Sequence, residues 1–332
     1  MWHQAGSVSR LPVGTTRSPR RIWELTLGGP VVVLVTQTIG GTVMGKASRL
    51  RLISMLSFAM AAIPVVGAAQ SRYSWELSGL ESRTDSGVSN FDATSFGATY
   101  YFGRVEDGAS PYALSAFFDP ATSLSITTDQ TDASDSWVLS GKYLLDGSRW
   151  YLGGRYRSPD DDGAYGLVAG KYLGPRTTLE LSVDTLKQEL GALACFLPRC
   201  TEFRDSIRLN TTALSFVHVR SFRSLTYAFS GGLTQRELPV TRVIGPSTPV
   251  VDVEPLRTYS IQAALYPTKN LDVHLGYDTT DGPFGNDGYS VGARWFFRRN
   301  VAVELSLSDV DVGLPAPYGH HETRSFRVIG RF

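Results

Sequence analysis

Over residues 269–279 the chain alternates Leu271, Val273, Leu275 and Tyr277 with Asp272, His274, Gly276 and Asp278. Over 300–310, Val301, Val303, Leu305 and Leu307 oppose Ala302, Glu304, Ser306 and Ser308. Over 149–158, Trp150, Leu152, Gly154 and Tyr156 oppose Arg149, Tyr151, Gly153, Arg155 and Arg157. A period of two belongs to a β-strand with unlike faces. From Arg72 onward no helical period interrupts it. Fourteen such runs can be marked: 72–83, 92–103, 111–128, 134–145, 149–158, 163–173, 176–190, 204–220, 222–238, 255–266, 269–279, 287–297, 300–310 and 322–332. Clusters of Gly, Asp, Asn, Ser and Pro separate them. The run 111–128 contains Pro120 and is counted as one strand; sixteen strands is the alternative total. The runs 163–173 and 204–220 show no clear face, since Leu214 and Phe216 fall on the polar phase.

Connection lengths add a second regularity. Short ones (146–148, 174–175, 221, 267–268, 298–299) alternate with longer ones (159–162, 191–203, 239–254, 280–286, 311–321). A barrel that crosses a membrane has short turns at one end, longer loops at the other, and an even strand number. The pattern predicts an all-β, transmembrane, antiparallel up-and-down β-barrel of about fourteen strands. Strands running toward the short-turn end finish in aromatic clusters: Tyr100-Tyr101-Phe102, Tyr143-Leu144-Leu145, Tyr172-Leu173, Leu265-Tyr266, Trp295-Phe296-Phe297 and Phe332. Gathered at one level, they predict an aromatic girdle. The apolar faces are then expected to meet lipid and the polar faces a wet lumen. A misplaced Arg or Lys near the bilayer centre would cost about 2–4 kcal/mol, so the segregation is enforced.

Upstream, the basic Lys46, Arg49 and Arg51 precede an apolar core from Leu52 to Val66, followed by Gly67-Ala68-Ala69. This is the plan of a secretory signal peptide, with cleavage expected after Ala68 or Ala69. Met44 stands just before it, so translation is expected to start there, with 1–43 as an upstream extension. The expected division is 1–43 extension, 44–69 signal peptide and 70–332 barrel. Composition is compatible. The 32 basic and 31 acidic residues leave no excess to draw nucleic acid. A mean hydropathy of -0.08 excludes a helical membrane bundle but not a barrel, half of whose strand residues are polar.

The polar faces supply the candidate site. Its basic members are Lys142, Arg149, Arg155, Arg157, Lys171, Arg208, Arg220, Arg236, Arg294, Arg327 and Arg331. Its acidic members are Glu76, Glu180, Asp184, Asp272, Asp278 and Glu304. Rings of charge set the ion preference of a pore, and eleven basic against six acidic residues predict a mild anion preference. The leading pore-lining candidates are Lys142, Arg149, Arg155, Arg157, Glu180, Asp184, Asp272, His274, Arg294, Glu304 and Arg327. The longer connections 239–254 and 191–203 are candidates to fold inward and constrict the pore, or to cover its outer mouth.

Other chemistry is sparse. Cys195 and Cys200 lack the further ligands of a tetrahedral metal site and are expected to form a disulfide in a secreted chain. Asp160-Asp161-Asp162, in a short external loop, reads as a solvated acidic tip, with a divalent-ion site as the alternative. His274 and Asp272 share a face and could activate water, but no Gly-x-Ser-x-Gly accompanies them. No cofactor, metal or nucleic-acid motif is present, and no enzyme is expected.

The C-terminal run Arg324-Ser325-Phe326-Arg327-Val328-Ile329-Gly330-Arg331-Phe332 ends on an aromatic. With the signal peptide, fourteen alternating runs and turn asymmetry, it resembles Gram-negative outer-membrane β-barrels of the porin type. The resemblance implies an outer-membrane location and Phe332 as a signal for the barrel-assembly machinery. It also implies passive diffusion of small hydrophilic solutes, contact with outer-membrane lipids, and commonly a homotrimer. The rival readings are a hydrolase on a barrel scaffold, resting on His274 and Asp272, and a structural or adhesive barrel, resting on the loops.

Overall fold

Strands with one apolar face in lipid leave no backbone group unpaired only if the sheet closes on itself. The computed structural model of the protein shows that closure. Its strands begin with β1 (Arg72–Asp85), β2 (Asn90–Glu106), β3 (Ser123–Thr131), β4 (Asp135–Leu144), β5 (Trp150–Ser158), β6 (Ala164–Gly174) and β7 (Thr177–Phe196). They continue as β8 (Arg199–Phe222), β9 (Leu225–Ile244), β10 (Thr248–Thr268), β11 (Leu271–Asp281), β12 (Asn286–Arg298), β13 (Val301–Val312) and β14 (His320–Arg331). Each pairs antiparallel with its sequence neighbours, and β14 closes onto β1. The fourteen strands expected from the alternation are therefore present.

The structure describes residues 72–332 apart from 88, 107, 109–110, 132–134, 159–162, 197–198, 245–247, 283–284 and 313–318. Within 188–207 and 238–253 it describes backbone alone. The expected extension, signal peptide and Asp160-Asp161-Asp162 tip lie outside the described residues.

The outer surface is a lipid face. Leu152, Leu167, Leu181, Ile261, Leu275, Leu305 and Leu307 are all exposed there. Trp75, Phe102, Tyr143, Trp150, Trp295 and Phe297 form an exposed aromatic row toward the end carrying Arg72 and Phe332. Toward the other end, Tyr277 packs at a tilt against its register partner Tyr289, ring centroids 4.9 Å apart, and Trp137 against Tyr156 at 5.3 Å. Leu214 and Phe216 are exposed and pair with Leu181 and Leu179, so β8 turns its even positions outward. The short-turn end is periplasmic by the polarity of such barrels.

Three sequence expectations need correction. The run 111–128 is not one strand: β3 begins only at Ser123. Pro111 and Pro120 bracket a 3-10 turn, Tyr112–Leu114, that runs into a single helical turn, α1 (Ser115–Phe118). The connections 191–203 and 239–254 are not loops. β7 and β8 stay paired up to Cys195–Cys200 and Phe196–Arg199, and β9 and β10 up to Ile244–Thr248. Pairing between β8 and β9 stops at Thr211–Arg236, so the two hairpins continue as separate arms. Arg149 lies in the β4–β5 turn, one residue before β5, rather than within the strand.

Buried apolar residues gather in three clusters, and all three involve residues 112–121. Tyr112 packs with Phe296, Ala302 and Ile329 on β12–β14. Leu114 packs with Val219, Ala228 and Tyr266 on β8–β10. Ala116 and Ala121 lie against Tyr73, Tyr101 and Val105 on β1 and β2. These wall residues occupy the lumen phase of strands spread around the circumference. A segment that touches all of them crosses the barrel interior at its periplasmic end. There, unlike in lipid, burial displaces water, so each large apolar side chain it covers is worth about 1.5–3 kcal/mol.

Candidate functional site

Above that crossing segment the wall is polar, and strand pairing arranges its charges in rows. Asp272, Arg294, Glu304 and Arg327 are successive register partners across β11, β12, β13 and β14. Their signs alternate. Arg294 Nε lies 2.8 Å from Glu304 Oε2 and 3.7 Å from Asp272 Oδ2, while Arg327 Nη1 lies 3.8 Å from Glu304 Oε2. Asp272 is only 3% exposed, and His274 Nδ1 approaches its second oxygen at 3.1 Å. Opposite charges on adjacent strands stabilise the sheet and neutralise the wall together.

The β5–β7 wall uses a different device. Tyr151 is in register with Gly170, which is in register with Glu180; Arg155, Gly166 and Asp184 repeat the arrangement four residues along. Tyr151 Oη donates to Glu180 Oε2 at 2.8 Å over the glycine. Arg155 crosses Gly166 to form a bidentate pair with Asp184, and its Nη2 reaches Ser182 Oγ at 3.3 Å. A Cβ at Gly166 would collide with the Asp184 carboxylate, and one at Gly170 with the Tyr151 ring. Lys142 Nζ sits 5.4 Å from the Tyr151 ring centroid, and Arg157 lies 3.8 Å from Asp129.

The expected lining residues Lys142, Arg155, Arg157, Glu180, Asp184, Asp272, His274, Arg294, Glu304 and Arg327 thus share the lumen phase. The geometry divides them between two walls, β4–β7 and β11–β14. Four basic candidates leave the lumen. Lys171 is on the outer phase of β6, its Nζ 4.7 Å from the Trp150 ring. Arg208 and Arg220 share the outer phase of β8 with Leu214, and Arg149 is in a turn. One acid missed in the sequence joins, Asp129, through Arg157; Glu254 lies beyond the closed wall, on the β9–β10 arm. Eleven basic and six acidic candidates become seven and seven among the described lumen residues. The basic excess is gone.

His274 and Asp272 do sit together, but Arg294 and Glu304 continue the row on the next strands. Across the wall from His274 is Gly292, whose Cβ position the imidazole fills. No nucleophile sequence motif accompanies the pair. On the outer face near the external end, Asp309, Asp311 and His320 bring ligand atoms within 4.8 Å of one another; all three are exposed. Cys195 and Cys200 are register partners across the β7–β8 turn, and their side chains lie outside the described residues.

A closed barrel of fourteen strands, with an apolar outer face between aromatic rows and a charged interior, has the fold of Gram-negative outer-membrane β-barrel proteins. The chain resembles the outer membrane protein Omp33 of Acinetobacter baumannii with a TM-score of 0.55. Identity is 16%, over 80% of this chain and 100% of that one. The CymD monoaromatic hydrocarbon channel matches at 0.45, with 11% identity over 80% and 95% of the two chains. Pseudomonas putida OprB matches at 0.43, with 8% identity over 78% and 94%. At such identities the likeness is one of fold. No family model and no curated protein sequence matches the chain.

Proposed function

We propose that this protein is an outer-membrane channel for passive diffusion of small hydrophilic solutes. One observation carries the reading: the interior above residues 112–118 is lined by paired charges and hydroxyls. Such a wall serves water and polar solutes, whereas a merely structural barrel could fill its interior with apolar side chains. Fourteen strands enclose more space than eight-stranded barrels, which their own side chains fill. The sequence expectation of a mild anion preference rested on a basic excess that the face assignments remove. Weak selectivity of either sign is what the pairing supports. Outer-membrane lipids, the barrel-assembly machinery and a homotrimer remain proposals drawn from the porin resemblance.

Purified, folded protein should give steady ohmic current steps in planar lipid bilayers. Silence from protein whose circular dichroism shows an intact barrel would remove the channel reading. The hydrolase alternative has one favouring contact, His274 to Asp272. Cleavage of a fluorogenic ester or peptide that is abolished by His274→Ala would establish it.

A further inference from the structure

We infer that residues 111–121 form a gate across the periplasmic exit and that Arg331 is the residue that latches it. This rests on the channel reading above.

Three features mark the segment as a closure rather than a surface turn. It spans the interior, touching β1–β2, β8–β10 and β12–β14 through separate apolar contacts. Its edge is fixed by backbone: Tyr112 N donates to the carbonyl of Lys269 in the β10–β11 turn at 2.9 Å. Its own internal order is short-range, with Ser115 Oγ donating to Tyr112 O at 2.9 Å. A helical turn of four residues has no stability of its own. The segment therefore stays closed only through its contacts with the wall, and it can leave as a unit.

Arg331 couples the segment to the wall through polar geometry. Its Nη1 donates to Tyr112 O at 2.6 Å and its Nε to Glu76 Oε2 at 2.8 Å. The guanidinium lies between the rings of Tyr73 and Phe296, at 4.8 Å and 5.0 Å from their centroids. One planar cation thus joins β14, β1, β12 and the crossing segment. Arginine suits this, since its fork donates in two directions while its faces stack. A buried cation held this way is costly to leave unpaired. Opening the segment strips one acceptor from it, which biases the equilibrium toward closure. The apolar wall contacts favour closure as well; Arg331 adds a directed polar contact to the backbone of Tyr112. Arg331 is a positioning residue: it acts on permeation through the segment it holds.

Single-channel recording separates the possibilities. Five proteins are compared: wild type, Arg331→Gln, Arg331→Lys, Ala113→Asp, which places a charge in the apolar seat while leaving every wall residue unchanged, and a chain with 111–121 replaced by a Gly/Ser linker. Circular dichroism first establishes that each barrel is folded. The linker variant should conduct several-fold more than wild type. Ala113→Asp and Arg331→Gln should raise the open fraction, and Arg331→Lys should fall between wild type and Arg331→Gln. Equal conductance and open fraction in wild type and linker variant overturn the gate. A conducting linker variant with Arg331→Gln indistinguishable from wild type overturns the latch. Silence from every folded variant, the linker chain included, overturns the channel reading and the gate with it.

Discussion

Tyr151 reaches over Gly170 to place its hydroxyl 2.8 Å from Glu180 on the second strand along, and Arg155 repeats the crossing over Gly166 to Asp184. Each bridge spans three strands because the middle one has no side chain. A glycine in a strand interior normally weakens it. Here it makes the lumen wall a set of side-chain girders.

Filling those gaps should therefore be destabilising in a way that depends on the bridge. Gly166→Leu and Gly170→Leu would each force a bridge aside at a cost of about 1–3 kcal/mol, the range for overpacking a filled site. Gly170→Leu in a Tyr151→Ala background should cost less, because the ring it displaces is gone. Thermal unfolding in detergent, followed by circular dichroism, reads all three. Equal losses in the two backgrounds would disconnect the glycine from the tyrosine.

Cys195 and Cys200 face each other as register partners one pair short of the last pair of the β7–β8 arm. We expect a disulfide that pins the arm's tip, closing a short loop for about 2 kcal/mol on the chain-entropy estimate. Mass spectrometry of unreduced peptides should find the two joined. Labelling of both thiols by a membrane-impermeant maleimide on oxidised whole cells would refute the bridge.

Phe332 is tied into the closing seam by its backbone: Ser74 N and Trp75 N donate to its carbonyl at 2.6 and 2.8 Å, and its N donates to Trp75 O at 2.9 Å. Side chain and backbone can be separated. Phe332→Ala keeps the three hydrogen bonds and should still lower outer-membrane levels sharply if the ring is read during assembly. Deleting Phe332 should in addition lower the unfolding temperature of the purified barrel. Normal surface levels for Phe332→Ala would show that the ring is not a signal.

The outer face was legible because Leu, Val and Ile recur at every second position, and lipid tolerates little else. The closure of the exit was not. Tyr101, Tyr172, Tyr266 and Phe296 read as girdle aromatics, yet each lies on the polar phase of its strand and turns inward. Consecutive rings such as Tyr100-Tyr101-Phe102 must put one on each side of a sheet. That was the available signal, together with an apolar 112–118 between two prolines. Lys171, Arg208 and Arg220 misled because long basic side chains tolerate an outward position near a membrane rim, where the head escapes to water. The arms of β9 and β10 were hidden by Pro239, Pro249 and Pro255. Beyond Thr211–Arg236 β9 has no β8 neighbour, and an edge strand can accept proline.

Charge selectivity is the remaining test of the lumen assignment. With seven basic residues against seven acidic ones among the described lumen positions, most of them paired, the wild-type reversal potential in a salt gradient should lie near zero. Screening acts in the same direction, since the Debye length is about 8 Å at physiological salt. Removing one sign should unbalance the wall. Arg155→Gln with Arg157→Gln leaves Asp184 and Asp129 without their partners, and the channel should become cation-selective by a few-fold. Arg149→Gln serves as the control, because that residue is in the turn and should leave the potential unmoved. Neutral lumen changes tune selectivity more than stability, so the double variant should still fold. Strong anion selectivity of the wild type would mean that the basic residues assigned to the outer face contribute to the path. An unmoved potential in the double variant would place the permeation path away from the β4–β7 wall.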